Sequence, residues 1–125
     1  LTYGLERICM FVQEKSNVFD ILWNKDGTLY KDIYKENEKQ FSKYNFELAN
    51  IDYLFNTFES LEKEAKNLLI NKLPLPAYDH SLKASHVFNI LDSRGAISTA
   101  QRAGYIFRIR DLVKEVGLKW LEEKK

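Results

Sequence analysis

Apolar residues recur every three or four positions over most of the chain, which predicts a mainly α-helical protein. The clearest stripe begins after Asn50, a good N-cap residue, and its helix should end near Lys72. The stripe consists of Ile51, Leu54, Phe55, Phe58, Leu61, Ala65, Leu68 and Leu69. An earlier amphipathic helix should begin near Tyr30, with a solvated outer face. Its apolar positions are Tyr30, Ile33, Tyr34, Phe41 and Tyr44.

The second half of the chain predicts two more helices. Both prolines fall between Leu73 and Pro76, where we expect a stiff, extended connector. A helix should then run from Ala77 to about Ser93, and Gly95 lies just past its end. Its predicted inward residues are Tyr78, Leu82, Ala84, Phe88 and Leu91. Ser98 and Gln101 form a capping box for the last helix. The predicted inward residues of that helix are Tyr105, Ile106, Ile109, Leu112, Val113, Val116 and Trp120.

The last helix carries a second stripe on another face. Its members advance by alternating steps of four and three, and they are Ala103, Phe107, Arg110, Lys114, Gly117 and Leu121. A solvated face would not usually carry residues as large and apolar as Phe107 and Leu121, and Leu118 lies beside them. Either another helix of the same chain covers the stripe, or Phe107, Arg110, Lys114 and Leu121 dock onto another domain or subunit.

The N-terminal segment predicts a short helix, Leu5 to Val12, that is apolar almost all round and should be buried on several sides. Gly4 permits a bend before it, and Glu6 suits the positive helix N-terminus. Arg7 does not, because the helix dipole disfavours a cation there. A buried guanidinium needs an anion, and either Glu6 or a ligand could supply it. The following segment, with Asp26-Gly27 as a tight turn, fits a small hairpin or a single helical turn.

Composition narrows the function classes. A chain of 125 residues fits one domain, with 45% hydrophobic and 30% charged residues. The formal net charge of +1 argues against a free-standing nucleic-acid binder. Cys9 is the single cysteine, which favours a reducing, cytoplasmic setting. No apolar run is long enough to span a bilayer, and no signal peptide is visible. Because the first residue is Leu and lies inside an apolar pattern, we expect a piece of a longer protein.

Residue chemistry alone points to little catalysis. His80 and His86 are six positions apart on different helix faces, and no metal-ligand cluster joins them, so we expect no metal site. His86 is better explained as a histidine hydrogen-bonded within the bundle. Ser98 is better explained as a helix cap than as a nucleophile. The carboxylates of Glu59, Glu62 and Glu64 should be solvated. Glu6 and Arg7 alone raise a functional possibility, for which a structural ion pair is the competing explanation.

A resemblance to a known family gives these residues a role. The stretch LTYGLERI resembles motif 3 of class II aminoacyl-tRNA synthetases, a strand-turn-helix element whose arginine helps to bind ATP. Four further stretches resemble, in order, the bacterial glycyl-tRNA synthetase alpha subunit. They are VFDILWN, YNFELANIDYLFNTFESLEKEA, LPLPAYDHSLKASHVFNILDSRGAIS and YIFRIRDLVKEV. The resemblance implies the C-terminal portion of an alpha chain, less than half of it, beginning at motif 3.

The resemblance also implies a domain organisation and an activity. Residues 1–16 would be the motif 3 end of a catalytic domain, 17–50 a connecting segment with one helix, and 51–125 a C-terminal helical bundle. The family joins glycine to AMP from ATP, with Mg²⁺ in the full enzyme, and transfers the glycyl group to tRNA(Gly). Arg7 matches the ATP-binding arginine, Glu6 would orient it or complete the wall of the site, and Thr2 would line the glycine pocket.

The resemblance implies partners as well. The family enzyme is an alpha-two beta-two assembly in which the beta subunit handles most tRNA recognition. Motifs 1 and 2 are not recognisable in this sequence, so we expect these 125 residues to be inactive alone, with no bound cofactor. The alternative functions are a non-catalytic helical interaction module and an independent RNA-binding bundle.

Overall fold

A computed structural model describes residues 3–125 of the chain. The chain divides after Tyr44 into two compact units. This division lies inside the predicted connecting segment, 17–50. Helices dominate both units, and a single antiparallel bridge, Leu22 with Leu29, is the only β pairing in the described part of the chain. The prediction of a mainly α protein is confirmed.

The first unit contains two helices joined by an ordered loop. Helix α1 spans Leu5–Val12, a 3₁₀ turn spans Val18–Asp20, and helix α2 spans Tyr30–Lys43. The stretch between the helices therefore contains both structures that the sequence allowed, a helical turn and a small bridged hairpin. Gly27, with φ of 90°, forms its tip in a conformation that favours glycine.

Helix α1 is not buried on several sides, and that expectation is wrong for the described residues. Its apolar residues Leu5, Ile8, Phe11 and Val12 are all exposed, Phe11 to 85%. Within the unit, α1 contacts the 3₁₀ turn, and its residues Leu5, Glu6 and Cys9 border a cleft and not a packed core. An apolar sequence indicates that a helix would gain from burial, but it does not show which surface would bury the helix.

The second unit packs three helices around one core. After a π-helical turn at Tyr44–Leu48, helix α3 spans Ile51–Ile70, α4 spans Pro74–Ser93 and α5 spans Thr99–Glu123. The Asn50 side chain accepts the Tyr53 N–H, and the Ser98–Gln101 capping box is present, so both predicted caps are confirmed. The core of the unit centres on Phe58, Phe88 and Leu91.

Helix α4 departs from the sequence prediction at its start. It begins at Pro74, so the prolines lie in its first turn and do not form an extended connector. The first-turn N–H groups of a helix have no partner inside the helix, and proline has the right φ for this position.

The buried face of α4 agrees with the prediction at Ala84, Phe88 and Leu91 but differs from it in the first half of the helix. It runs through Ala77, Ser81 and Ala84, while Tyr78 and Leu82 are exposed. Small side chains along this face let the α4 backbone lie close to its neighbours, and larger apolar residues are left at the edge. In helix α5 the predicted inward residues Leu112 and Val116 are buried, whereas Val113 and Trp120 are more exposed than predicted.

Candidate functional site

The start of α1 presents Glu6 and Arg7 to the surface. Gly4 precedes the helix with φ of 66°, a left-handed conformation, and its carbonyl accepts the Ile8 N–H at 3.2 Å. Glu6 and Arg7 are both exposed. Consecutive helical residues point about 100° apart, so the two side chains diverge. Within residues 3–125 Arg7 forms no ion pair, and the alternative of a structural Glu6–Arg7 pair is wrong for this part of the chain. Thr2 lies outside the described residues.

A cleft of about 320 Å³ lies beside α1 in the first unit. Leu5, Glu6 and Cys9 of α1 form one side of it. The aromatic rings of Trp23, Tyr30 and Tyr34 line the rest, above Ile21 and Leu22. Glu6 therefore borders an aromatic cleft, whereas Arg7 is on the neighbouring face of the helix.

The loop that carries Trp23 is held by hydrogen bonds of its own. The Gln13 side chain pairs with the backbone of Leu22, accepting its N–H at 2.7 Å and donating to its carbonyl at 3.0 Å. The Trp23 N–H donates to the Thr28 carbonyl at 2.7 Å, and the Tyr30 N–H donates to the Ile21 carbonyl at 2.8 Å. These bonds connect the end of α1, the hairpin and the start of α2, and they fix the walls of the cleft.

The rings of the cleft form a corner. Tyr30 and Tyr34 have centroids 4.7 Å apart with planes tilted by 35°, while Trp23 meets Tyr34 edge-on at 5.6 Å and 63°. Partial desolvation, followed by the charge of Glu6, raises the pKa of the Tyr30 hydroxyl.

The second stripe of α5 is exposed to solvent, and we call it the α5 surface. Phe107 is 69% exposed and Leu121 is 61% exposed, and Arg110 and Lys114 lie exposed between them. The possibility that another helix of the same unit covers the stripe is wrong. The four side chains share one face of α5 on the second unit.

A side-chain cluster between α3 and α5 escaped the sequence analysis. Arg108 donates from Nε and Nη2 to the Glu62 carboxylate at 2.8 and 2.9 Å, and from Nη2 to Glu59 at 2.8 Å. Its guanidinium carbon lies 4.9 Å from the Phe58 ring centroid and 5.0 Å from that of Tyr105. The expectation that Glu62 is solvated is wrong, since the residue is only 8% exposed. The sequence does contain a signal for this cluster, because Arg108 is a charged residue between the inward positions Tyr105 and Leu112.

The histidines show no catalytic arrangement. His80 Nδ1 lies 2.8 Å from the Pro76 carbonyl oxygen within α4, and His86 is exposed, so the expectation that His86 is satisfied inside the bundle is wrong. Among residues 3–125, no three His, Cys, Asp or Glu side chains come together in a way that could hold a metal ion. No described helix combines the length and the apolar character needed to cross a membrane.

Comparison with protein families identifies the chain. The family model of the glycyl-tRNA synthetase alpha subunit matches residues 1–125. The chain belongs to this family. Membership gives it a role in glycine–tRNA ligation, the aminoacyl-tRNA synthetase step of protein synthesis, and implies a beta subunit as the general partner of such a chain. The resemblance of the later stretches to the glycyl-tRNA synthetase alpha subunit is confirmed, and the match extends over the whole sequence.

Proposed function

We propose that Arg7 binds ATP during glycine activation by a class II synthetase. In that reaction a glycine carboxylate oxygen attacks the α-phosphorus of ATP, pyrophosphate leaves, and glycyl-adenylate forms. The glycyl group then passes to the terminal ribose of tRNA(Gly), and AMP leaves. Mg²⁺ would accompany ATP in the full enzyme. The observation that carries the proposal is the exposed Arg7 guanidinium in a chain of this family, on a helix whose dipole disfavours a cation.

An arginine suits this chemistry for two reasons. Its planar fork can stack on the adenine ring while its N–H groups donate to phosphate oxygens, and its charge does not titrate in the physiological range. Arg7 is the only arginine before Arg94, so no other guanidinium in the N-terminal part of the chain can take this role. Glu6 would complete the wall of the nucleotide site, and Thr2 would line the glycine pocket.

The test is Arg7→Ala in the alpha chain assembled with its beta subunit. Losing a charge-assisted contact to phosphate costs about 1.5 to 3 kcal/mol, which corresponds to roughly 10- to 150-fold in glycine-dependent ATP–pyrophosphate exchange. Arg7→Lys should restore part of the loss because it keeps the charge but not the fork. Lys15→Ala removes an exposed cation just past α1 and should leave the exchange unchanged. Normal exchange by Arg7→Ala would refute the assignment.

We further propose that the 125 residues alone do not activate glycine. A class II site takes its ATP contacts from several motifs, and the resemblance places motif 3 alone in this sequence. The same exchange assay on the isolated chain should give background rates. Glycine-dependent exchange above background would contradict this proposal and would leave the role of Arg7 open to the assay on the assembled enzyme.

We also propose that the α5 surface formed by Phe107, Arg110, Lys114 and Leu121 docks onto the beta subunit in an alpha-two beta-two assembly. Its support is the shared exposed face and the partner that the family implies. In this arrangement the beta subunit would contact most of tRNA(Gly), in keeping with the near-neutral charge of this chain, and the enzyme would work in the cytoplasm.

A further inference from the structure

The aromatic cleft of the first unit has the composition of a cation site. Three aromatic rings, Trp23, Tyr30 and Tyr34, line it together with the Glu6 carboxylate. Aromatic faces attract cations through their ring quadrupoles, and Trp and Tyr are the stronger of these residues. A carboxylate beside the rings adds a full opposite charge. An apolar ligand would have no use for that carboxylate.

The ring geometry supports the same conclusion. Trp23 lies at 60° to Tyr30 and 63° to Tyr34, so its ring does not stack on either tyrosine, while Tyr30 and Tyr34 lie close together at 35°. A corner of this kind presents more than one ring to a group placed in it. The volume of about 320 Å³ is larger than a methylated ammonium group requires and leaves room for the chain that carries it.

A neighbouring ring already takes a cation. Phe19 packs against Tyr30 with centroids 6.2 Å apart, and the Lys35 ammonium lies 5.8 Å from the Phe19 centroid. Phe19 does not line the cleft, and it already has a cation of its own chain beside it. Among the described residues, no cation lies over the rings of Trp23, Tyr30 or Tyr34.

We propose that this cleft binds an alkylammonium group between Trp23, Tyr30, Tyr34 and the Glu6 carboxylate. The group belongs either to a small amine or to a lysine side chain of another protein, which share this chemistry. The proposal does not rest on ATP binding by Arg7, because Arg7 is not part of the cleft wall, and the cleft shares only Glu6 with the proposed nucleotide site.

The experiment compares choline with its neutral isostere, 3,3-dimethylbutan-1-ol, at constant ionic strength. The Trp23 indole N–H signal in NMR reports binding at the cleft. We expect choline to bind at least about tenfold more tightly than the isostere, since the cation–π and ionic attraction act on the charged ligand alone. Equal affinities would show a merely apolar cleft and would overturn the proposal.

Variants of the lining residues test whether choline binds in this cleft. Tyr34→Leu removes one ring and should weaken choline binding several-fold, whereas Phe41→Leu, an exposed ring of the same helix outside the cleft, should not. Should Tyr34→Leu disturb the fold, Glu6→Gln keeps every ring in place and should weaken choline binding without affecting the isostere. Choline affinity unchanged in Glu6→Gln would overturn the proposal.

The same titration distinguishes the two sources of the ligand. Nα-acetyl-lysine amide carries a protein-like ammonium, and choline carries a free quaternary one. Tighter binding of the lysine derivative assigns the cleft to a partner's side chain, and tighter binding of choline assigns it to a small amine. Binding of neither at the Trp23 signal would overturn the proposal.

Discussion

At the scale of single residues, the Arg108 cluster shows how a charge becomes part of a core. Glu62 is nearly buried, and both of its oxygens accept hydrogen bonds from one guanidinium that also packs against Phe58 and Tyr105. The hydrogen bond and charge of Arg108 lower the pKa of the Glu62 carboxyl below its ordinary value of 4.5, against the opposing effect of burial. Glu62 is therefore ionised in the folded protein at neutral pH, and Arg108 stabilises its ionised form.

Replacing Glu62 by Gln should destabilise the protein by about 2 kcal/mol at pH 7. This value lies between the ~1 kcal/mol of exposed ion pairs and the ~3 to 5 kcal/mol lost when one member of a buried pair is removed. Urea unfolding at pH 7 measures it. Glu59→Gln is the matched control, because the Glu59 side chain is 58% exposed and its pairing with Arg108 should contribute less than about 1 kcal/mol. Equal losses in the two variants would contradict the prediction.

The same pair predicts a pH dependence. Because the folded pKa of Glu62 lies below the unfolded one, the stabilisation is complete above the unfolded pKa, near 4.5, and is lost as the pH falls through the folded value. The stability difference between wild type and Glu62→Gln should therefore shrink below pH 4.5. A difference that stays constant from pH 7 to pH 3 would show that Gln acts through packing and not through charge.

At the scale of helices, the caps are the most local part of the fold. Ser98 Oγ accepts the Gln101 N–H at 3.2 Å, and Gln101 Oε1 accepts the Ser98 N–H at 3.1 Å, so α5 begins at a defined residue. Ser98→Ala should lower the free energy of unfolding by roughly 0.5 to 2 kcal/mol. Ser60→Ala, at an exposed position inside α3, should be neutral or slightly stabilising. If Ser98 were catalytic, Ser98→Ala would instead lower the activity and leave the melting temperature unchanged.

The helices that the sequence predicted well are those whose signals are local. Asn50 and Ser98 each accept an N–H group three residues away, and the stripe of α3 has a regular period, so α3 and α5 start where expected. Helix α4 was harder because proline serves equally as a breaker and as a first-turn residue. Its buried face depends on Ala77 and Ala84, whose small size matters only once the neighbouring helices are in place.

The candidate sites were predictable to different degrees. Arg7 and Glu6 stood out because a motif carries them in adjacent positions. The aromatic cleft could not be found in that way, since Glu6, Trp23 and Tyr34 come from three separate elements that hydrogen bonds of Gln13 and Ile21 bring together. Arg108 and Glu62 are likewise distant in sequence, and only the packing of α5 on α3 pairs them.

At the scale of the whole molecule, the α5 surface is a face that a partner could bury. Phe107 and Leu121 leave large apolar areas in water, and burial of such a side chain contributes about 1.5 to 3 kcal/mol. Arg110 and Lys114 between them would favour an acidic counterpart and would set the orientation of docking. A beta subunit that covers this face would thus have to present apolar and acidic groups at matching positions.

Phe107→Glu tests this docking directly. The variant replaces one of the two large apolar residues of the surface by a carboxylate, so sedimentation of the alpha and beta chains together should show loss of assembly. The melting temperature of the alpha chain should stay nearly constant, because Phe107 is 69% exposed. Tyr53→Glu is the matched control, since Tyr53 is similarly exposed on α3 and should leave assembly intact. Normal assembly by Phe107→Glu would rule out the α5 surface as the docking site. If assembly failed equally in both variants, added negative charge and not the location of Phe107 would be the cause, because only a docked α5 makes the two positions differ.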